Sequence, residues 1–297
     1  MFSKEELELY INELKSLKST FSETNNYLEN LFQDEIKASW QIEESKITKD
    51  KIDTLITYLN DLYNIHTHNT HISIKQLYTS LFPENEFIRI DEVVVGGCYF
   101  DSYGQIKAAK HVGISPKYVK EVINYLENEA NDFYKYIHSS NDSHLTKLIK
   151  AFEKYIKFES LHPFIDGNGR MGRLLFLEIP FHFKYPFAKY FQFVSPHTVN
   201  NILFKYQSLP YNGYNNYTLS DYENVKFDEI DIYKIIYSTI AFANFYKFDK
   251  IHIFSIKSIL KGNFNNKYYD YEHIIKFIGS KSLFSGFTKW FNFFLYF

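Results

Sequence analysis

The chemistry-bearing residues of this chain are concentrated in twelve positions, His162-Pro163-Phe164-Ile165-Asp166-Gly167-Asn168-Gly169-Arg170-Met171-Gly172-Arg173. His162 titrates near neutrality and can serve as a general base. Pro163 discourages helix continuation through the residue before it. Phe164 is an anchor into a core. Asp166 offers a hard oxygen ligand of the kind Mg²⁺ prefers beside substrate phosphates. Gly167-Asn168-Gly169 lets the backbone turn freely and approach a ligand closely. A helix beginning there presents N–H groups and the positive end of its dipole to an anion. Arg170 and Arg173, three apart, project near the same end of that helix, and guanidinium groups match phosphate oxygens bidentately. Base, metal ligand, anion cradle and two phosphate clamps together suit nucleotidyl or phosphoryl transfer. Each part alone has a plainer explanation: a structural histidine, a simple turn, an Asp before Gly. Those explanations fail jointly, because all the parts stand within one short loop in a workable order.

The flanking segments must position that loop. Leu145, Leu148, Ile149, Phe152, Tyr155 and Ile156 recur three and four apart, so a buried helix runs directly into His162. Asn141-Asp142-Ser143 supplies its cap. After Arg173 a second apolar helix carries Leu174, Leu175, Leu177 and Phe181 and ends at Tyr185-Pro186. Pro116 opens an earlier helix with Val119, Val122, Ile123 and Leu126 on one side. Val93-Val94-Val95 before Gly96-Gly97, then Asp101-Ser102-Tyr103-Gly104 and Ile106, predicts a short β-hairpin over 93–108. A helix with Leu77, Leu81 and Phe82 stops at Pro83. Residues 4–36, with Leu7, Ile11, Leu14 and Leu17, predict a solvated helix with one apolar stripe. Residues 198–209 and 229–248 are also expected to be helical.

Composition narrows the class. The chain has 297 residues, which suits one large domain or two small ones, and an ordinary apolar share that can build a core. Its 30 Phe and 26 Tyr are read as a compositional habit of the source. A formal net charge of -2, with no basic stripe, argues against a nucleic-acid partner. Cys98 is the one cysteine, so no internal disulfide forms, and a reducing, cytoplasmic setting is expected. The charged N-terminus lacks the apolar core of a signal peptide. No run of about 18 apolar residues predicts a membrane span. His66, His68 and His71 cluster without Cys, Asp or Glu among them and read as a polar loop, not a metal site.

The loop at 162–173 resembles the signature of the Fic (Fido) family, His-x-Phe-x-Asp/Glu-Gly-Asn-Gly-Arg-x-x-Arg, and meets each of its fixed positions. A chance match in a chain of this size is below about one in a million. The likeness spans about 35–210 and is sharp only at 162–175. Phe158-Glu159-Ser160-Leu161 resembles the family's approach to its motif. The hairpin stands where the family has its target-aligning flap, and Val194-Ser195 through Tyr206 and Leu209 resembles its pocket-closing helix.

The resemblance implies an all-α Fic/Fido helical fold with a short β-hairpin flap. It implies a protein adenylyltransferase, moving AMP from ATP to a Ser, Thr or Tyr hydroxyl of a target protein that docks on the hairpin near 93–108. His162 would be the catalytic base and Asp166 the Mg²⁺ ligand. Gly167, Asn168 and Gly169 would form the anion cradle. Arg170 and Arg173 would bind the outer phosphates, and Tyr206 would line the adenine pocket. It also gives Ser39 and Glu43, four apart at 33–48, the place of an inhibitory helix, with Glu43 pairing with Arg173 against the γ-phosphate. Glu44 departs from the family's Gly or Asn there. Ile202 and Lys205 depart from the Arg and Tyr common in relatives, which bears on nucleotide binding. The expected organisation is N-terminal helices over 1–85, a core over 86–210 and a mainly helical extension over 211–297. A homo-oligomer stays open, and neither nucleic acid nor membrane is expected as a partner.

Two other readings use the same residues. A relative could remove AMP, with Glu43 orienting a water, or transfer another phosphate-containing group; the intact Gly-Asn-Gly favours AMP transfer over phosphate transfer. A non-enzymatic nucleotide-binding interaction module would not need His162 and Asp166.

Overall fold

In the computed structural model, the described residues are 45–64, 71–180, 209–223 and scattered positions at 33, 36, 37, 39–41, 43, 205, 206 and 228. Contacts divide the chain into Met1–Ile236 and Tyr237–Phe297, and the second unit lies outside the described residues. Most of the helices expected over 4–36 and 198–209, all of that expected over 229–248, and the expected helix end from Phe181 to Tyr185-Pro186 also lie outside them, as do Glu44, Ile202, His66 and His68.

The first described helix, α1 (Lys49–Asn64), buries Ile52 and Leu55. Next comes α2 (Ile74–Leu81), which starts where the Ser73 side chain accepts from the Gln76 N–H and stops one residue before Phe82-Pro83. It presents Ile74, Leu77, Tyr78 and Leu81 inward. Residues Val94–Phe100 (β1) and Ile106–Val112 (β2) pair antiparallel across the Asp101–Gly104 turn. The second strand continues to Val112, beyond the expected end of the hairpin. There Ala109, His111 and Val112 become buried, and the chain at 209–211 adds to the strand through Ala109 N–H to Tyr211 O (2.8 Å) and Val112 N–H to Leu209 O (2.9 Å).

A 3₁₀ turn, Pro116–Tyr118, leads into α3 (Val119–Ser139), whose inner face carries Val122, Ile123, Leu126, Ala130 and Phe133. Then α4 (His144–Leu161) opens with the Ser143 side chain accepting from Thr146 N–H, and buries the apolar stripe expected of it. The short helix α5 (Asn168–Arg173) follows the loop, and Leu174–Glu178 continues it as a π-turn, with Ile179 N–H reaching Leu174 O at 2.9 Å. That turn is where the sequence predicted an ordinary helix. Leu174, Leu175, Phe176, Leu177 and Glu178 are all buried. A final short helix, α6 (Leu219–Glu223), sets the Tyr222 hydroxyl on Val112 O at 3.0 Å.

The described residues are mainly helical with one antiparallel hairpin, as the sequence predicted. No helix among the described residues is long and apolar enough to cross a membrane.

Candidate active site

The loop is built on aromatic packing. Phe164 is fully buried, and its ring stacks on Tyr78 with centroids 3.9 Å apart. The Tyr78 hydroxyl donates to Asp166 O at 3.1 Å, so α2 holds both the anchor and the backbone beside it. Asn168 clamps the same turn from within: its Oδ1 accepts from Phe164 N–H (2.9 Å) and its Nδ2 donates to Phe164 O (2.8 Å). The Asn168 side chain is thus committed to holding the loop. Gly167 has φ +81, and a Cβ there would stand 2.6 Å from the Phe82 ring, so both conformation and space demand glycine.

His162 is the C-cap of α4 and takes a left-handed backbone, φ 47 and ψ 58. Its Nδ1 lies 3.1 Å from Glu159 O. A carbonyl can only accept, so this contact places the proton on Nδ1 and leaves Nε2 with its lone pair. Burial pushes the imidazole down to about 4, opposed by the Glu159 carbonyl, so the ring is neutral at pH 7.

The two arginines leave α5 in different directions. Arg170 Nη2 meets both Asp166 oxygens (2.9 and 2.8 Å), and its guanidinium lies 4.7 Å from the Phe82 ring centre. Arg173 is buried. Its Nε donates to Ser39 Oγ (2.9 Å), and its Nη2 donates to Ser39 O (2.9 Å) and Glu43 Oε1 (2.8 Å). Ser39 and Glu43 therefore converge on one guanidinium. Their arrangement differs from a simple i, i+4 helix face. Residues 39–41 are helical, whereas Glu43 stands in the turn beyond, closed by Glu43 N–H and Ser45 N–H on Trp40 O, both at 3.1 Å. A Cβ on Gly169 would lie 2.3 Å from Glu43 Oε1. The carboxylate therefore sits against the open glycine face of the loop, where an anion would approach.

Tyr206 is buried, and its hydroxyl accepts from Asp228 N–H at 2.8 Å. Lys205 Nζ lies 3.9 Å from Asp228 Oδ2. His71 lies 3.7 Å from Glu127. No group of three or more His, Cys, Asp or Glu that could hold a metal occurs among the described residues. Asp166 fits Mg²⁺ in a different way: its carboxylate is well exposed, and Mg²⁺ is commonly held by one or two carboxylates plus substrate phosphates.

Residues 81–179 match the model of the Fic/DOC family. The chain contains a Fic domain. It is also 30% identical over 95 residues to a Fido domain-containing protein of Dictyostelium discoideum. That stretch is 32% of this chain and 61% of the relative, so the chain spans less than two thirds of the relative's length. Fic/DOC-family domains in general transfer nucleotide-phosphate groups.

Several residues of the Fic domain site carried no sequence signal of their own. Phe82 read only as an apolar position of the helix that stops at Pro83, and Tyr78 only as part of that helix. Tyr155 read as part of the α4 stripe, yet its hydroxyl lies 3.4 Å from Arg173 Nη1. Glu159 and Glu178 are buried beside Arg173. Burial pushes their carboxyls up to about 8 and about 7 against the pull of the arginine. Glu159 was visible only as part of the stretch leading into the motif.

Proposed function

We propose that this protein is an adenylyltransferase that moves AMP from ATP to a Ser, Thr or Tyr hydroxyl of another protein, and that Glu43 restrains it. The observation that carries the reading is the contact of His162 Nδ1 with Glu159 O, which leaves Nε2 with its lone pair at the entry of the glycine turn.

In this reading Nε2 of His162 takes the proton of the target hydroxyl. The hydroxyl oxygen then bonds to the α-phosphorus, the bond from that phosphorus to the β-bridging oxygen breaks, and pyrophosphate leaves. The turn at Gly167-Asn168-Gly169 offers backbone N–H groups to the phosphates. Arg173, and Arg170 once it turns from Asp166, clamp the outer phosphates. Mg²⁺, held by Asp166, would offset phosphate charge. Tyr206 is assigned to the adenine side of the pocket by its likeness to the family alone. The hairpin would align the target by strand pairing, since a hairpin edge can accept an added strand.

Restraint by Glu43 is supported by its position. It neutralises the guanidinium that the γ-phosphate would need, and it lies over Gly169.

The test is transfer of label from ATP labelled on the α-phosphate, with Mg²⁺ and cell lysate as the source of target. The parent, His162→Ala and Glu43→Gly are compared. The expected result is label on protein with the parent, more with Glu43→Gly, and none with His162→Ala. Label from γ-labelled ATP instead would assign phosphate transfer. Loss of label from an already modified target would assign AMP removal.

A further inference from the structure

The last carbonyls of α4 are all accounted for, and the partners are not those of an ordinary helix end. Phe158 O accepts from His162 N–H (3.0 Å) and Glu159 O from His162 Nδ1 (3.1 Å). Ser160 O accepts from the His111 ring Nε2 (2.8 Å), and Leu161 O from Ile114 N–H (2.8 Å). His162 O accepts from Arg89 Nη2 at 3.2 Å. The last three donors come from outside the helix, from the end of β2, the residues after it and the segment before β1.

Arg89 is 2% exposed, and burial lowers its guanidinium to about 10, which leaves it charged at pH 7. Among the described residues it donates to carbonyls: Nη1 to Asp91 O (2.7 Å), and Nη2 to Ile114 O and His162 O. A buried cation at a helix C-terminus is favoured by the helix dipole. Here it also closes on a left-handed, non-glycine residue, a conformation that persists only when its surroundings impose it. Gly113 completes the enclosure. A Cβ there would stand 2.9 Å from both His162 Cβ and His162 O, and 3.2 Å from Arg89 Nη2.

We propose that Arg89 is a positioning residue: by binding His162 O it holds the left-handed backbone that sets His162 Nδ1 on Glu159 O and so leaves Nε2 as the base. Arg89 touches no reacting atom; it acts through His162. Because its other partners are Ile114 O and Asp91 O, it also ties the base of the hairpin to the base of the reaction, so that target alignment and proton transfer share one support. This role rests on the transfer reading above for its catalytic consequence, but the ring geometry is measurable without activity.

The test compares the full-length parent with Arg89→Lys and Gly113→Ala. Arg89→Lys keeps the charge but loses the fork; Gly113→Ala presses the same backbone from the other side. Histidine ring ¹⁵N shifts are recorded, with His162 assigned through His162→Gln. Thermal unfolding, ATP affinity and the pH dependence of AMP transfer are measured alongside. The expected result is an Nδ1-protonated His162 in the parent and a mixture of tautomers in both variants. ATP affinity should stay within about twofold, while kcat falls by about tenfold or more, since displacement of a reacting group by about 1 Å can cost about 100-fold. Parent-like His162 shifts in folded Arg89→Lys would overturn the proposal, whatever its activity. So would a loss of kcat that merely follows the loss of folded protein. A changed tautomer in a protein that transfers no AMP would uphold the positioning role and remove the transfer reading instead.

Discussion

Glu43 Oε1 lies 2.8 Å from Arg173 Nη2 and against Gly169, so one carboxylate reaches both the guanidinium clamp and the glycine face of the loop. The contact joins residues 130 apart in sequence. Its partner is almost wholly buried, while Glu43 is 38% exposed. The pair is therefore held firmly from one side and open to competition from the other.

Glu43→Gly should strengthen ATP binding. A hydrogen bond to a charged group is worth about 1.5–3 kcal/mol, and the exposure of Glu43 argues for the lower end, about a tenfold gain in affinity. Titration calorimetry with a non-hydrolysable ATP analogue would measure it. Equal affinities in parent and variant would show that Glu43 does not compete with the nucleotide.

Gly169→Ala should weaken ATP binding even when Glu43 is removed. The added Cβ would meet Glu43 Oε1 at 2.3 Å and Arg173 Nη1 at 3.0 Å. A flexible Glu43 can swing away, but the methyl then occupies the face an anion needs. The double variant Glu43→Gly/Gly169→Ala should bind ATP more weakly than Glu43→Gly alone. Equal binding would place the phosphates elsewhere.

His111 should make the fold acid-sensitive. Its Nε2 donates to Ser160 O, and its Nδ1 accepts from Leu209 N–H at 3.3 Å, so both nitrogens are committed to the neutral form. Burial lowers the ring to about 4 from 6.5. Between those values the unfolded chain binds a proton that the native fold refuses, so stability falls as pH drops through that window. Urea midpoints at pH 7.5 and 5 should separate less in His111→Gln than in the parent.

Glu159 should act with the opposite sign. Burial, with the Glu43 charge adding to it, raises the carboxyl to about 8 from 4.5. In that interval the native state holds the proton and the unfolded chain has lost it. Stability therefore falls as pH rises from about 4.5 to about 8. Glu159→Gln should flatten this part of the profile, read from urea midpoints between pH 5 and 8. An unchanged slope would mean that the carboxyl titrates normally.

Phe164→Ala should cost about 3–5 kcal/mol, the range for emptying a packed aromatic site. The ring is fully buried against Tyr78, Phe87 and Phe158. Chemical denaturation would report it. A loss under about 1 kcal/mol would mean that the loop holds its shape through the Asn168 clamp alone.

The sequence alone determined the residue types at 162–173, the helix that leads into them and the turn chemistry of the hairpin. These are local properties: apolar spacing, the Ser143 cap, Pro163 after the helix, and glycines where the chain must turn. Tertiary structure decided what those residues face. That Asn168 binds the Phe164 backbone, that Arg170 turns to Asp166 while Arg173 turns to Ser39 and Glu43, and that Arg89 and His111 close the end of α4 depend on segments up to 134 residues apart. No spacing rule relates such segments, because their contacts are set by how distant parts of the chain close around buried side chains such as Phe164, whose ring meets both Tyr78 of α2 and Phe158 of α4. Nor could sequence spacing anticipate the histidine tautomer, which depends on a single carbonyl reached only through a left-handed backbone.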